Sequence, residues 1–154
     1  MYERLAERYP KLANMFEGSI FNLENAHRYD YNEITLDVER KHPDGSPAGT
    51  RHTRVDSYTP DEAVVSRKNT QLAEVNYSTA KHYIDEFRKN YMARDARFTI
   101  ADTDKNKLVM PERIGDPLLG TMYLEVPEQV RPIPQRIVEY AAEKGITIRI
   151  APTQ

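Results

Sequence analysis

Cysteine is absent from the 154 residues of this chain. Its absence excludes a disulfide framework, a thiolate nucleophile and a cysteine-ligated zinc site, so packing alone has to hold the fold together. Long apolar runs are also missing. No window approaches the ~20 apolar residues of a membrane helix, and the first residues, "MYERLAERYPKL", lack an apolar core of signal-peptide length. We therefore expect a soluble chain with no membrane partner.

A large net charge is lacking as well. The 22 Lys+Arg and 24 Asp+Glu residues give a formal net charge of -2. The chain as a whole therefore does not attract phosphate, and any nucleic-acid contact has to come from a local basic patch. The length and the 39% hydrophobic content fit one domain with a lean core. We predict a single domain over residues 1–154.

Hydropathy periodicity predicts an α/β (α+β) fold with a mixed sheet, a three-stranded meander and helices packed on it. The predicted helices cover residues 11–27, 78–91 and 132–145. The predicted strands cover residues 33–41, 50–58, 63–69, 97–103, 121–127 and 146–150. Residues 103–117 are predicted to form a loop. A turn signal, "HPDGSPAG", joins the first two strands into a hairpin.

All three predicted helices carry apolar residues at helical spacing, in the third at Ile133, Ile137 and Ala141. In the first helix these residues are Leu12, Phe16, Ile20 and Leu23. In the second they are Ala80, Tyr83, Ile84, Phe87 and Tyr91, and Ser78 is the expected N-cap. Because Tyr83 and Tyr91 belong to this stripe, we expect them in the core and not in base stacking.

The chemistry that the sequence indicates is centred on Asp56 and Lys68. Asp56 stands near the end of one predicted strand, and Lys68 stands within the next, after the short connection "SYTPDE". A carboxylate that binds a divalent metal, next to an ammonium that stabilises charge on phosphorus, is a phosphodiester-cleaving arrangement. The pair alone is a weak signal, since Asp is common at turns and lysine side chains often extend to solvent from a strand edge.

A family resemblance strengthens this interpretation. The stretches "VDSYTPDEAVVSRKNTQLAEV", "TAKHYIDEFRKNY" and "LLGTMYLEVPEQVRPIPQRIVEYAAEKGITIRI" cover most of residues 55–150. Their organisation resembles the PD-(D/E)xK nuclease superfamily, whose core is a helix, a three-stranded meander, a helix and a further strand. The chain is most similar to the restriction-endonuclease-fold toxin domains of bacterial polymorphic toxins.

The resemblance implies roles for particular residues. Asp56 matches the first acid of the motif and would bind Mg²⁺ or Mn²⁺, while Lys68 matches the motif lysine. Glu24, or with less support Glu17, would match the helix carboxylate that serves as an extra metal ligand. Gln71 matches a glutamine that contacts a phosphate or orients a metal-bound water. The alternatives are that Gln71 bonds to backbone and that both glutamates belong to a solvated face.

Ser66 departs from the family pattern. The superfamily has Asp or Glu two residues before the lysine, and a neutral hydroxyl is a poor ligand for Mg²⁺. Glu62 shares the predicted strand face and is an alternative carboxylate. The serine leaves open a second function, that of a catalytically inactive member of the fold that binds a protein or nucleic acid.

The favoured function is therefore a metal-dependent endonuclease toxin domain, with DNA preferred over RNA as the substrate. The resemblance also implies that the chain is the C-terminal part of a larger secreted protein. Such a toxin is delivered into a competing bacterium, acts in the cytoplasm of the target cell and is blocked by a cognate immunity protein.

Overall fold

The computed structural model of the protein describes residue 7 and residues 10–152. Within these residues, helices and strands follow one another as α1 (Pro10–Ala26), β1 (Tyr31–Lys41), β2 (Pro47–Thr59), β3 (Ala63–Arg67), α2 (Tyr77–Asn90), β4 (Phe98–Ile100), α3 (Asp104–Val109), β5 (Thr121–Val126), α4 (Gln135–Glu143) and β6 (Ile146–Ile150). The predicted α+β class is confirmed. No helix in this part of the chain has the length and apolar character needed to cross a membrane.

The six strands form one mixed sheet in the order β4-β1-β2-β3-β5-β6. Strands β1, β2 and β3 are the predicted antiparallel meander, and β4 pairs antiparallel with β1. On the other side, β5 runs parallel to β3 and β6 runs parallel to β5. The carboxyl ends of β3, β5 and β6 therefore meet at one edge of the sheet, the edge where open α/β sheets commonly bind ligands.

The core lies around the middle of this sheet. All five residues of β3 are buried, as expected for a strand covered on both faces. The predicted stripe of α2 is buried at Ala80, Ile84 and Phe87, and α2 packs against α4. Tyr91 is also buried, whereas Tyr83 is only partly buried against the core. The strand contribution to the core comes mainly from Ile34, Leu36, Val38, Val55, Val64, Leu124 and Ile146.

Helix α1 is present as predicted, but it does not bury its predicted apolar stripe. Phe16 and Leu23 are 54% and 76% exposed, whereas Ala13, Phe21 and Asn25 are buried; the side chain of Leu12 lies outside the described residues. The helix meets a polar part of the sheet, where Arg67 Nη2 donates to the Asn25 carbonyl oxygen at 3.4 Å. A stripe of large apolar residues would leave that guanidinium without partners.

Two local predictions were wrong. Helix α2 begins at Tyr77 after Asn76, so Ser78 lies inside the helix and is not its N-cap. The predicted loop 103–117 contains α3 and a 3₁₀ turn, Pro111–Arg113. Thr103 caps α3, because its Oγ1 accepts a hydrogen bond from the Asn106 amide at 3.1 Å. A segment of six residues is too short to show a helical hydropathy period, so this helix leaves no periodic signal in the sequence.

Gly120 allows β5 to begin against β3. Its φ is +145°, and a Cβ there would lie 2.8 Å from the Ala63 nitrogen. The neighbouring backbone bonds, Asp61 N to Leu119 O at 2.9 Å and Thr121 N to Glu62 O at 3.1 Å, start the parallel pairing. Any side chain at position 120 would push these two backbones apart.

We predict that Gly120→Ala lowers the free energy of unfolding by about 3 kcal/mol, because it combines backbone strain with overpacking. Gly115→Ala is the matched control, since Gly115 has a φ of +84° but a Cβ added there would meet no heavy atom within 4 Å. The control variant should lose only about 1 kcal/mol. Urea unfolding of both variants measures the difference, and equal losses would contradict the close approach.

Candidate active site

Asp56 opens into a cavity of about 360 Å³ between α1 and the strands β1, β2 and β3. The lining residues supply carboxylate, cationic and amide groups beside a larger apolar area: Ser19, Asn22, Leu23, Ala26, Asn32, Glu33, Asp56, Arg67 and Lys105. Asp56 comes from β2 and Arg67 from the last position of β3, so the meander itself places them together. A cavity with such a lining can receive a polar or charged ligand.

The Asp56 carboxylate is fixed by the neighbouring strand. Its Oδ2 accepts a hydrogen bond from the Arg67 backbone amide at 2.7 Å. Burial raises the pKa of Asp56 above its ordinary value. The Arg67 amide and the charges of Arg67 and Lys68 oppose that rise, whereas the charge of Glu33 adds to it. Asp56 is therefore a desolvated carboxylate within the field of two cations, as expected for a functional carboxylate.

Glu33 is the second carboxylate of this cavity, and its backbone is strained. The register of β1 with β2 runs from the pair Asn32–Ser57 to the pair Ile34–Val55. Between these pairs Glu33 has a φ of +52°, in the left-handed region that non-glycine residues rarely adopt. Strained backbone is concentrated at functional sites, where the surrounding structure enforces it. The strained residue of β1 therefore lies at the cavity.

The Lys68 side chain lies outside the Asp56 cavity and packs against α2. Its Nζ is 3.9 Å from Glu86 Oε1 and 5.4 Å from the centre of the Tyr83 ring. Lys68 is not a lining residue of the Asp56 cavity, yet its charge acts on the Asp56 carboxylate. Both members of the Lys68–Glu86 pair are more than a third exposed. Such a pair contributes little stability, so Lys68 can exchange its partner at small cost.

Ser66 faces Tyr91 in the interior. Burial raises the pKa of Tyr91, the negative charge of Asp56 raises it further, and a hydrogen bond with Ser66 opposes the rise. Tyr91 also donates to the Val65 carbonyl oxygen at 3.4 Å. The Ser66 hydroxyl, which the sequence resemblance places at an acid position, is thus next to a neutral phenol. A carboxylate at position 66 would put a second negative charge close to Asp56.

Gln71 is engaged with the segment that follows β5. Its Nε2 donates to the Glu128 carbonyl oxygen, and its Oε1 accepts from the Val130 amide, both at 2.9 Å. Gln129 ties the same segments together, with its Oε1 accepting from the Leu72 amide at 2.9 Å. The structure places Gln71 in the backbone-binding role that the sequence left open as an alternative.

Glu24 and Glu17 line a different cavity from that of Asp56, together with Phe21 and Pro127. The metal role of Glu24 stays a prediction that depends on the resemblance. Within residue 7 and residues 10–152, no three His, Cys, Asp or Glu side chains form a group that could hold a metal ion. The carboxylate that shares the cavity with Asp56 is Glu33.

A buried ionic cluster fixes Arg67, and through Arg67 the position of Asp56. Glu125 of β5 is fully buried and contacts Arg28, Arg67 and Arg149. Arg67 Nε donates to Glu125 Oε1 at 3.0 Å, and the Tyr29 hydroxyl donates to Oε2 at 2.5 Å. The pairs Arg67–Glu125 and Glu125–Arg149 are also neighbours in the register of the parallel strands. The cluster therefore joins β3, β5 and β6 to the segment that follows α1.

The carboxylate of Glu125 is ionised in spite of its burial. Burial alone would raise its pKa, but hydrogen bonds from Tyr29 and Arg67 and the charges of Arg28 and Arg67 bring the pKa below its ordinary value. The other end of Arg67 is held too, because its Nη2 donates to Ser57 Oγ at 2.6 Å. The guanidinium thus has little freedom, and the backbone that binds Asp56 is fixed with it.

Several residues of this site carried no clear signal in the sequence. Glu33 alternates with Ile34 as any outward-facing strand residue does, and Lys105 lies in the segment predicted as a loop. Glu125 was the exception. A glutamate between Leu124 and Val126 in an otherwise apolar strand indicates a buried charge that needs partners.

Searches against protein-family models, curated proteins and solved structures find no match to this chain.

We predict that Glu125→Gln lowers the free energy of unfolding by about 3 kcal/mol, because it leaves three guanidinium groups around a neutral amide. Glu139→Gln on the exposed side of α4 is the matched control and should change stability by less than about 0.5 kcal/mol. Chemical denaturation at pH 7 measures both variants. A Glu125→Gln protein as stable as the control would show that the cluster does not hold the strands together.

We predict that Asp56→Asn stabilises the protein at neutral pH. A raised pKa in the folded state means that Asp56 favours folding below its unfolded pKa of about 3.8 and loses that contribution as the pH rises through the folded pKa. Asparagine removes the desolvated charge and can still accept the hydrogen bond from the Arg67 amide. The gain in unfolding free energy, measured in urea at several pH values, should be largest near pH 7 and shrink towards pH 3.5. A loss of stability at pH 7 would contradict the assignment.

Proposed function

We propose that this protein hydrolyses phosphodiester bonds of nucleic acid in a metal-dependent reaction, with DNA as the preferred substrate. The observation that carries the proposal is the state of Asp56. This carboxylate is desolvated, one of its oxygens is fixed by the Arg67 amide, and it opens into a cavity under the field of Arg67 and Lys68. Phosphodiester cleavage needs this combination of an oriented anion with nearby positive charge.

The donor atoms in the cavity fit a hard divalent cation. Mg²⁺ keeps several waters and is commonly bound through one or two carboxylates together with substrate phosphates. Among the described residues, Asp56 and Glu33 are the two carboxylates that line the cavity, and we assign both of them to the ion. When bound, Mg²⁺ or Mn²⁺ would act as a Lewis acid towards the phosphoryl oxygens. The strained backbone at Glu33 supports this assignment.

The cations around the site have separate roles. Lys68 supplies the ammonium that stabilises negative charge developing on the phosphoryl group, once it exchanges its weak contact with Glu86. The Arg67 guanidinium is occupied by Glu125 and Ser57, so it orients the site and does not transfer a proton. Lys105 holds the β1 backbone, because its Nζ donates to the Asn32 carbonyl oxygen at 2.7 Å and to that of Glu33 at 3.2 Å.

The biological setting is a further part of the proposal. The helix α1, the antiparallel meander β1–β3, the helix α2 and the strand β5, which runs parallel to β3, support the nuclease superfamily, with β4 and α3 inserted between α2 and β5. The role as a toxin that acts in the cytoplasm of a competing bacterium, and a cognate immunity protein as the partner, depend on the sequence resemblance alone.

A catalytically inactive binding module is the second candidate function. Three observations favour it: Ser66 stands at an acid position of the motif, Gln71 is committed to backbone bonds, and Lys68 lies outside the cavity. An inactive protein of this kind would keep the cavity but would not cleave nucleic acid at any concentration of Mg²⁺.

Nicking of supercoiled plasmid with and without Mg²⁺ tests the proposed function. We expect Mg²⁺-dependent nicking by the native protein and a loss of at least about 100-fold in Asp56→Asn and Lys68→Ala. Lys144→Ala, at the distant end of α4, is the control and should nick as the native protein does.

The outcomes separate the candidates. Absence of nicking by the native protein at every Mg²⁺ concentration would favour the binding module. Full activity in Asp56→Asn would remove the catalytic assignment altogether. Loss of activity in Lys105→Ala together with retention in Lys68→Ala would transfer the role of the ammonium to Lys105.

A further inference from the structure

A second concave surface of the protein is lined mostly by cations. It is a cleft of about 380 Å³, called the basic cleft below, and six cations surround it: Arg40, Lys41, Arg51, Arg88, Lys89 and Arg97. Among the described residues, Glu39 is the single acidic residue of its lining. Since the whole chain has a formal charge of -2, this concentration of positive charge is local and is balanced by acidic residues elsewhere.

Most of these cations lack a neutralising partner. Arg97 pairs with Asp95, with Nη2 at 2.7 Å from Oδ2, and Arg51 donates to the Lys89 carbonyl oxygen and to Asn90. Within residues 10–152, the side chains of Arg40, Lys41, Arg88 and Lys89 form no salt bridge. Arg88 Nε is in addition buried without a hydrogen-bond partner among the described residues. A buried donor without a partner is costly, and a bound acceptor would remove that cost.

The helix dipole explains only part of this cluster. Arg88 and Lys89 lie in the last turn of α2, where cations are favourable. The other four cations come from the β1–β2 hairpin and from the residue before β4: Arg40, Lys41, Arg51 and Arg97. Three separate parts of the fold thus bring like charges to one cleft, which destabilises the protein unless an anion is bound there.

We propose that the basic cleft binds the phosphate backbone of a nucleic acid. Arginine and lysine are the side chains that neutralise backbone phosphates, and planar guanidinium groups match phosphate oxygens in a bidentate manner. Six cations from three parts of the fold can contact several phosphates at once, which fits a polyanion better than a single phosphate group. Within the part of the chain that the structure describes, the cleft shares no lining residue with the Asp56 cavity, so it is a separate binding surface.

An anionic membrane fits the cleft less well than a nucleic acid does. Surfaces that bind membranes combine cations with exposed apolar side chains that enter the interface. The exposed large apolar residues of the described chain lie elsewhere, mainly on α1 at Met15, Phe16, Ile20 and Leu23. The apolar residues of the cleft, Val38, Met92 and Phe98, are buried or partly buried.

This binding surface goes beyond the proposed hydrolysis and does not require it. Binding in the presence of EDTA can be measured without cleavage, so a failure of the binding proposal and a failure of the hydrolytic proposal give different results. Asp56→Asn should lose nicking while it keeps its affinity for nucleic acid in EDTA.

The test is fluorescence anisotropy of a labelled 20-base-pair DNA duplex in EDTA at several salt concentrations. The cleft variant replaces Arg40, Lys41 and Lys89 by Gln, and all three are exposed. The control variant replaces Lys11, Arg136 and Lys144 by Gln and changes the net charge by the same amount. We expect the Kd of the cleft variant to rise by at least about tenfold, with a fall of about 2 to 3 in the salt slope, because each phosphate contact contributes about 0.9 to that slope.

Three results would overturn the proposal. One is the absence of duplex binding by the native protein at low salt, and another is an equal loss of affinity in the cleft and control variants. The third comes from vesicles that contain phosphatidylserine. If the cleft variant loses only vesicle binding and keeps its affinity for DNA, the cleft belongs to an anionic lipid surface. Circular dichroism of both variants establishes that they are folded.

Discussion

The buried carboxylate of Glu125 is the interaction on which the arrangement of this protein depends. Glu125 lies between Arg67 and Arg149 in the register of three parallel strands. Its carboxylate also accepts hydrogen bonds from Arg28 and Tyr29, which belong to the segment after α1. A charge with no exposure is tolerated only when it is paired and hydrogen-bonded, and here the partners come from three other parts of the fold. Because Arg67 is one of them, its backbone amide is fixed against Asp56. The structural ionic cluster and the carboxylate of the candidate site are thus joined through Arg67.

The candidate site departs from the rules that hold for the rest of the sheet. Asp56 is desolvated in the middle of a meander, and Glu33, which lines the same cavity, adopts a left-handed backbone. These features destabilise the fold, and they add no apolar packing to the core. Proteins retain such features where a ligand or a reaction requires them, so the departures support a function at this position more strongly than the residue types alone.

Most of the fold could be predicted from the sequence, but the arrangement of the candidate site could not. Strands such as Tyr31–Lys41 alternate apolar and polar residues, and α4 has proline before it and glycine after it, so their positions follow from local rules. The burial of Asn25 in place of Leu23 on α1 depends on the polar sheet surface below it, which a single helix cannot reveal. The approach of Glu33 to Asp56 depends on strand register, and the basic cleft depends on three parts of the fold that are distant in the chain.

The most direct test of the central claim is the position of a bound metal ion. A crystal soaked in Mn²⁺ and measured at the manganese absorption edge should give an anomalous peak within coordination distance of the Asp56 carboxylate, with Glu33 on the same ion. That result would establish a metal site beside the strained backbone of Glu33. A peak at Glu24 away from Asp56, or no peak in the cavity at saturating Mn²⁺, would contradict the account.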